Sequence, residues 1–426
     1  MTSRRMLLKS PLAMLPLAMP AVGRAQSAAQ LVVWHDLGDN GTKWFTEVSS
    51  AFAENHPGVS IRAISYPTDQ WFGRVIGAIN TDTAPDLIFN NYERVIRIAD
   101  QTGKVTDLRA TLAGVAEKSF LSPDDLRVAT YRDRMIILPI QRVQMGFGAR
   151  KSWLDKAGEK FPATWDDAKR AAEKFQAADP ATFGFALEAA HPRDLIHMLD
   201  LFIFGTGLRN TLLAPDGAIT VDEPQHAQVL EQFLRIFTSY KLVPPDTINY
   251  SFNEMYQVIE GGRAGMFRVG DWNVAKWTAQ AIKGDFVVGP WPAFFPDKQN
   301  AVVIGGMRGI AVPENAPHKE LSLEVAAFLL GKQAQQASLK LVGSAVRSDL
   351  DTTGLPEESK KFVAHPWPLN AYDFPESIHP WYPELEAGYH RKLLGAIASP
   401  PSDYGAFIRQ TAQEMRESAK ALAQKG

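Results

Sequence analysis

The chain has 426 residues, more than one hydrophobic core usually serves, so two domains are expected, each large enough to bury its own core. Apolar residues make up 45% and charged residues 22%, which excludes wholesale disorder, and 45 Lys and Arg against 47 Asp and Glu give no electrostatic case for a nucleic-acid partner. There is no cysteine, which excludes disulfides, thiolate nucleophiles, Cys-ligated zinc, iron–sulfur clusters and a lipidated N-terminal cysteine; no cofactor is expected.

The first element is an address. Ser3-Arg4-Arg5-Met6-Leu7-Leu8-Lys9 is followed by a short apolar stretch and by Gly23-Arg24-Ala25, with small residues placed for a cut after Ala25. Residues 1–25 are therefore expected to be a cleaved signal peptide. The paired arginines resemble the twin-arginine export signal, and an ordinary Sec signal is the alternative. Losing Arg4, Arg5, Lys9 and Arg24 leaves 41 basic against 47 acidic residues. The product would be a mildly acidic periplasmic protein. No apolar run of about 18 residues follows the N-terminus, so no membrane span is expected.

Leu31-Val32-Val33-Trp34 is a short apolar run suited to a buried strand. Trp44, Phe45, Val48 and Phe52 recur at helical spacing. Val59, Ile61 and Ala63 alternate as in a strand, Thr68-Asp69 can cap a helix carrying Trp71, Phe72, Val75, Ile76 and Ile79, and Leu87-Ile88-Phe89 is a third strand. The order β-α-β-α-β predicts an α/β fold with a doubly wound parallel sheet, whose ligands sit beyond the carboxyl ends of the strands. Those ends are residues 35–40 and 90–94.

Similar grammar returns after Met135-Ile136-Ile137-Leu138-Pro139. Thr164 and Asp167 form one expected capping box, Ser251 and Glu254 another. Val229 to Phe237 is a helical stripe, Gly261-Gly262 ends a helix, and residues 264–269 and 302–306 read as strands. The last twenty residues form a closing helix.

In this order and spacing, several local markers carry a resemblance: Leu31-Val32-Val33-Trp34, Ala84-Pro85-Asp86-Leu87-Ile88-Phe89, Leu138-Pro139-Ile140, Pro162-Ala163-Thr164-Trp165, Gly261 to Met266 and Gly270-Asp271-Trp272. Over residues 30–426 the chain resembles the extracellular solute-binding proteins of carbohydrate ABC importers. The resemblance implies two α/β lobes joined by crossovers near Gln141-Arg142, Gly305-Arg308 and Gly343-Arg347, closing on ligand. The expected division is 26–141 with 308–345 in the N-terminal lobe, and 142–307 with 346–426 in the C-terminal lobe.

It implies a monomeric binder with a carbohydrate ligand and ABC permease subunits as partners, and not an enzyme. A sugar site needs aromatic faces against ring C–H groups and fixed polar groups for hydroxyls. By the resemblance, Trp272 stacks on sugar, and Glu93 and Arg94 contact it. Asp271, the loop residues Asp36, Asp39 and Asn40, the crossover residues Gln141, Arg142, Gly305 and Gly306, and Trp381 (with Tyr382 beside it) complete the candidate set.

Arg142, Arg308 and Arg347 near the crossovers keep an anionic sugar derivative as an alternative, because guanidinium suits phosphate, sulfonate or carboxylate. An exported sugar hydrolase would use two facing carboxylates, Glu93 and Asp271. His191, Asp194 and His197 do not have a standard zinc spacing and are expected on a polar helix face.

Overall fold

A computed structural model describes residues 28–371 and 375–425. The export segment lies outside the described residues. Strand β1 (Ala29–His35), helix α1 (Gly38–Ala53), β2 (Val59–Ser65), α2 (Thr68–Asn80), β3 (Leu87–Asn91) and α3 (Tyr92–Thr102) follow one another as the sequence pattern predicts. The pattern works because each apolar set meets a common core. Leu31, Val33, Leu87, Ile88 and Phe89 are fully buried in the strands, and Trp44, Phe45, Val48 and Phe52 bury one face of α1. Thr68 is the first residue of α2 and Pro67 takes the cap position without a side-chain cap bond, so Thr68 is not the cap.

Past this first unit come β4 (Leu138–Ala149), α4 (Trp165–Ala178), β5 (Phe183–Ala186), α5 (Pro192–Gly205), α6 (Pro224–Phe237), α7 (Phe252–Glu260) and β6 (Ala264–Gly270). Both expected capping boxes are present, Thr164 with Asp167 and Ser251 with Glu254. The chain ends with β7 (Val302–Ala311), α8 (Lys332–Leu341), α9 (Tyr382–Ala398) and α10 (Tyr404–Ala423).

The main sheet runs β2-β1-β3-β7-β4-β6-β5, with short strands at Val287–Gly289 and Leu369–Ala371 alongside. The pairs β1–β2, β1–β3 and β5–β6 are parallel, whereas β7 is antiparallel to both β3 and β4. Two long antiparallel strands therefore carry the chain from one half of the sheet to the other. Strand β7 pairs with β3 through residues 308–311, while β4 pairs with β6 through residues 145–149. Between these stretches the β4–β7 register slips around Gly305. Gly305 is the residue left unpaired in that bulge, a local kink in the ladder.

A third passage lies against the first. Gly343 has φ +91°, and a Cβ there would meet the Asp271 carbonyl oxygen and Trp272 Cα at 3.1 Å, so the close approach and the torsion both call for glycine. Immediately after it, Arg142 N donates to the Ala345 carbonyl at 3.3 Å, and the Ser344 hydroxyl donates to the Arg142 carbonyl at 3.2 Å. The architecture is a two-lobed α/β fold.

Candidate functional site

The sheet register fixes how far apart the strand ends of the two lobes lie. Asn91 at the end of β3 pairs with Arg308, Arg308 pairs with Gln141, and four residues along β4 Met145 pairs with Gly270 at the end of β6. At roughly 3.3 Å per residue, the strand ends of the two walls stand about 13 Å apart along β4. Helix α3 begins directly after β3, so its partial positive charge lies at that strand end.

On the N-terminal wall, Asp36 gathers the charge. Its carboxylate is only 1% exposed and lies 3.3 Å from Arg308 Nη1 and 3.6 Å from Arg94 Nη1; the Thr68 hydroxyl donates to it at 3.3 Å. Arg308 Nε also donates to Asn91 Oδ1 at 2.7 Å, and Arg94 Nη1 to the Thr68 carbonyl at 2.8 Å. Glu93, in the first turn of α3, accepts from Asn91 Nδ2 at 3.2 Å through one oxygen, while its second oxygen is buried with no protein partner. Asp36, Glu93 and Arg94 are thus brought together as the sequence pattern suggests, with Asn91 and Arg308 joining them. Behind them, burial pushes His35 down to about 4, so a neutral ring accepts the Leu37 N–H at 3.1 Å. Asp39 and Asn40 lie exposed on the first turn of α1, apart from this cluster.

The crossover candidates mostly face elsewhere. Gln141 is buried and donates to the Ser338 hydroxyl of α8 at 2.9 Å. Arg142 is fully engaged by Asp125, with Nε at 3.1 Å and both side chains buried, so it stabilises the N-terminal lobe rather than lining the cleft. Arg347 pairs with Asp349 and Glu117 at 2.7 and 2.9 Å. Gly306 is buried; a Cβ on Gly305 would collide with Met145 and stand 3.3 Å from His197. Neither glycine has a positive φ, so packing explains Gly305 and hinge torsion does not.

Asp271 is the largest departure from expectation. It is buried at the meeting of the passages, accepting from Trp272 N at 2.9 Å and from Gln144 N at 3.5 Å, with the Ser344 hydroxyl beside it. Burial pushes it up to about 7, against the opposing pull of those hydrogen bonds and of Arg308. Trp272 follows it, half-buried, with its ring packed directly over Gly270. Tyr256 lies alongside and donates to Asn273 at 2.6 Å. Trp381 is half-buried and its ring stands 4.9 Å from that of His379, while Tyr382 is in the core. Among the described residues no group of three or more His, Cys, Asp or Glu side chains is arranged to hold a metal ion.

Sequence reasoning missed Glu188 and Arg268, a buried ion pair at 2.8 Å on the C-terminal wall. The available signal was an arginine in the middle of the apolar strand Ala264–Gly270, a place where a charge needs a buried partner.

The fold and the cleft define a two-lobed α/β binding protein. The chain belongs to the bacterial extracellular solute-binding protein family, whose model matches residues 38–336. A binding protein of Brucella abortus strain 2308 is 25% identical over 231 residues, covering 52% of this chain and 53% of that protein; the chain spans about half the length of the curated relatives it matches. Among solved structures, an ABC transporter solute-binding protein from Thermotoga lettingae TMO bound with α-D-tagatose has a TM-score of 0.74 at 17% identity, covering 92% of this chain and 99% of that one. Maltose-bound MalE3 of T. maritima gives 0.74 at 17%, covering 91% and 99%. The Thermus thermophilus maltotriose-binding protein gives 0.67 at 18%, covering 91% and 99%. These likenesses establish the fold. No helix among the described residues is long and apolar enough to cross a membrane.

Proposed function

We infer that this protein is the exported, periplasmic substrate-binding component of an ABC importer. It captures a neutral carbohydrate, a mono- or oligosaccharide or a polyol, by closing its lobes and hands it to membrane permease subunits. It acts as a monomer after removal of residues 1–25, exported by the twin-arginine route. The lobes are residues 26–141 with 308–345, and 142–307 with 346–426. Solved proteins of the same fold are described with tagatose, maltose and maltotriose.

The observation that carries this reading is the juxtaposition of a half-buried tryptophan face with a polar wall across about 13 Å of strand. Trp272 supplies the apolar face; Asp36, Glu93, Arg94, Asn91 and Arg308 supply hydroxyl partners. The state of the arginines favours a neutral ligand. Arg142, Arg308, Arg94 and Arg347 each already face a carboxylate of the protein, so an anion would have to displace Asp125, Asp36 or Asp349. The hydrolytic alternative loses one of its two acids, since Asp271 is occupied by backbone donors at the crossover.

A thermal-shift screen of the mature protein with maltose, laminaribiose, xylobiose, D-tagatose, glycerol, glucose 6-phosphate and glucuronate tests this. A ligand at a hundred times its Kd should add about 2.7 kcal/mol of stability. A shift with a neutral member is the expected result. A shift confined to the phosphate or carboxylate would refute the neutral assignment, and turnover of a bound glycoside would refute the binder.

A further inference from the structure

The C-terminal wall contains charge that neither the fold nor the hinge requires. Arg268, on β6, and Glu188, just beyond β5, are 2% and 3% exposed in their side chains and meet Nη1 to Oε1 at 2.8 Å. That contact, with the Tyr256 hydroxyl nearby, still leaves part of the pair unsatisfied. Arg268 Nε and Nη2, Glu188 Oε2 and the neighbouring Asp194 Oδ2 are all buried without a protein hydrogen-bond partner. Burying an ion pair is costly unless the remaining donors and acceptors are met. A half-satisfied network beside the proposed stacking face therefore points to a partner that arrives from outside the chain.

Its position fits. The Tyr256 hydroxyl stands beside both Arg268 and the Trp272 indole, connecting the pair to the proposed stacking face. On the other side His197, which feels the charge of Arg268, approaches Gly305 in the β7 bulge. The outer side is covered by Phe252, whose ring lies 5.0 Å from the guanidinium carbon and is itself 38% exposed.

We propose that Glu188 and Arg268 form the specificity-determining subsite of the cleft, reading two adjacent hydroxyls of a neutral sugar ring. Each hydroxyl both accepts and donates. The free N–H groups of Arg268 donate to the hydroxyl oxygens, and the free oxygen of Glu188 accepts a hydroxyl proton in return. The pocket sets one guanidinium against two carboxyl groups, Glu188 and Asp194, and burial raises both acids above the usual carboxylate range. A phosphate or carboxylate placed here would be desolvated against one cation that is already paired, so the subsite rejects phosphorylated and carboxylated sugars. This inference rests on the carbohydrate reading above.

The test uses the mature protein and calorimetric titration with maltose, laminaribiose, xylobiose and D-tagatose, then the monodeoxy forms of whichever binds. Glu188→Leu with Arg268→Met replaces the pair by apolar groups of similar volume, which leaves no buried charge unpaired and should keep the fold. Glu188→Gln is the companion variant, preserving shape and one acceptor. The double variant should melt near the wild type yet bind at least 30-fold more weakly, with Glu188→Gln in between. One monodeoxy sugar should lose about tenfold on the wild type and nothing further on the double variant. Wild-type Kd in a folded double variant would overturn the subsite while leaving the carbohydrate reading intact. Failure of the wild type to bind any of the four sugars would overturn both.

Discussion

Arg308 on β7 and Arg268 on β6 each lie beside a nearly inaccessible carboxylate, yet they differ in solvation. Arg308 is 22% exposed, shares Asp36 with Arg94 and has a second partner in Asn91. Arg268 is 2% exposed, has one good contact with Glu188 and keeps two donors unmet. On the N-terminal wall both guanidinium groups are partly hydrated and each has a second protein partner, although Asp36 Oδ1 and Glu93 Oε2 are buried without a hydrogen bond. On the C-terminal wall the charges are desolvated and incomplete. An arginine–carboxylate pair thus keeps a partly hydrated cation in one lobe and buries both partners in the other.

The comparison breaks most visibly if one arginine is removed at a time. Arg268→Met strands Glu188 in the interior and should cost about 3–5 kcal/mol, whereas Arg308→Met should cost within about 1 kcal/mol. Calorimetric melts of the two variants decide it; equal losses would show that the two walls do not differ in this way. Next in size is a pH effect at the crossover. Asp271 is held at about 7 against an ordinary 3.8, so the folded state binds a proton that the unfolded chain has released. Its stabilising contribution is complete below about pH 4 and is lost as pH rises toward 7, by up to about 4 kcal/mol. Subtracting the Asp271→Asn curve from that of the wild type should isolate this decline. The subtraction also removes His35, which acts in the opposite sense: pushed down to about 4, it adds stability as pH rises from 4 to 6.5. A flat difference curve between pH 4 and 7 would contradict the buried acid.

Trp272→Ala comes third. Losing a buried aromatic anchor should weaken sugar binding by roughly 1–3 kcal/mol with the melting temperature little changed, since the ring packs on Gly270 at the edge of the wall. Trp381, the other tryptophan proposed for the site, already lies against His379, so Trp381→Ala should have the smaller effect on Kd. Titrations of both variants with the same sugar would rank them, and a reversed order would move the stacking face to α9.

Much of the fold was legible because apolar periodicity reports directly which face is buried. Trp44 to Phe52 and Leu87 to Phe89 could be placed from spacing alone, and the two capping boxes carry their own local hydrogen-bond logic. The first wall was partly legible for a similar reason. Asp36, Glu93 and Arg94 follow strand ends in a parallel unit, and the topology brings such ends together. The crossovers were not legible. Whether Gln141 and Arg142 face the cleft depends on which side of β4 each presents after the register slips at Gly305, and on partners such as Ser338 and Asp125, one of them 197 residues away. Asp271 stands directly before Trp272, yet the approach of Gly343 and Ser344 turns it into a crossover residue. Glu188 and Arg268 are 80 residues apart, and only the β5–β6 pairing makes them neighbours.

The smallest predicted effect concerns ligand charge, and it tests why the N-terminal wall is polar without being anion-selective. Asp36 neutralises two guanidinium groups that otherwise face the cleft, and both are partly hydrated. Asp36→Asn keeps the acceptor for the Thr68 hydroxyl and removes only the charge. The freed arginines should then draw in an anionic sugar, raising affinity for glucose 6-phosphate by up to about tenfold, or about 1.4 kcal/mol, at low salt. Because both cations remain partly exposed, most of that gain should vanish by about 0.5 M salt. Neutral-sugar affinity should change far less, since hydroxyls bond to arginine with or without the compensating acid. If the variant gained nothing for the phosphate, the barrier to anions would lie on the other wall, at Glu188 and Asp194, where two buried acids face one arginine.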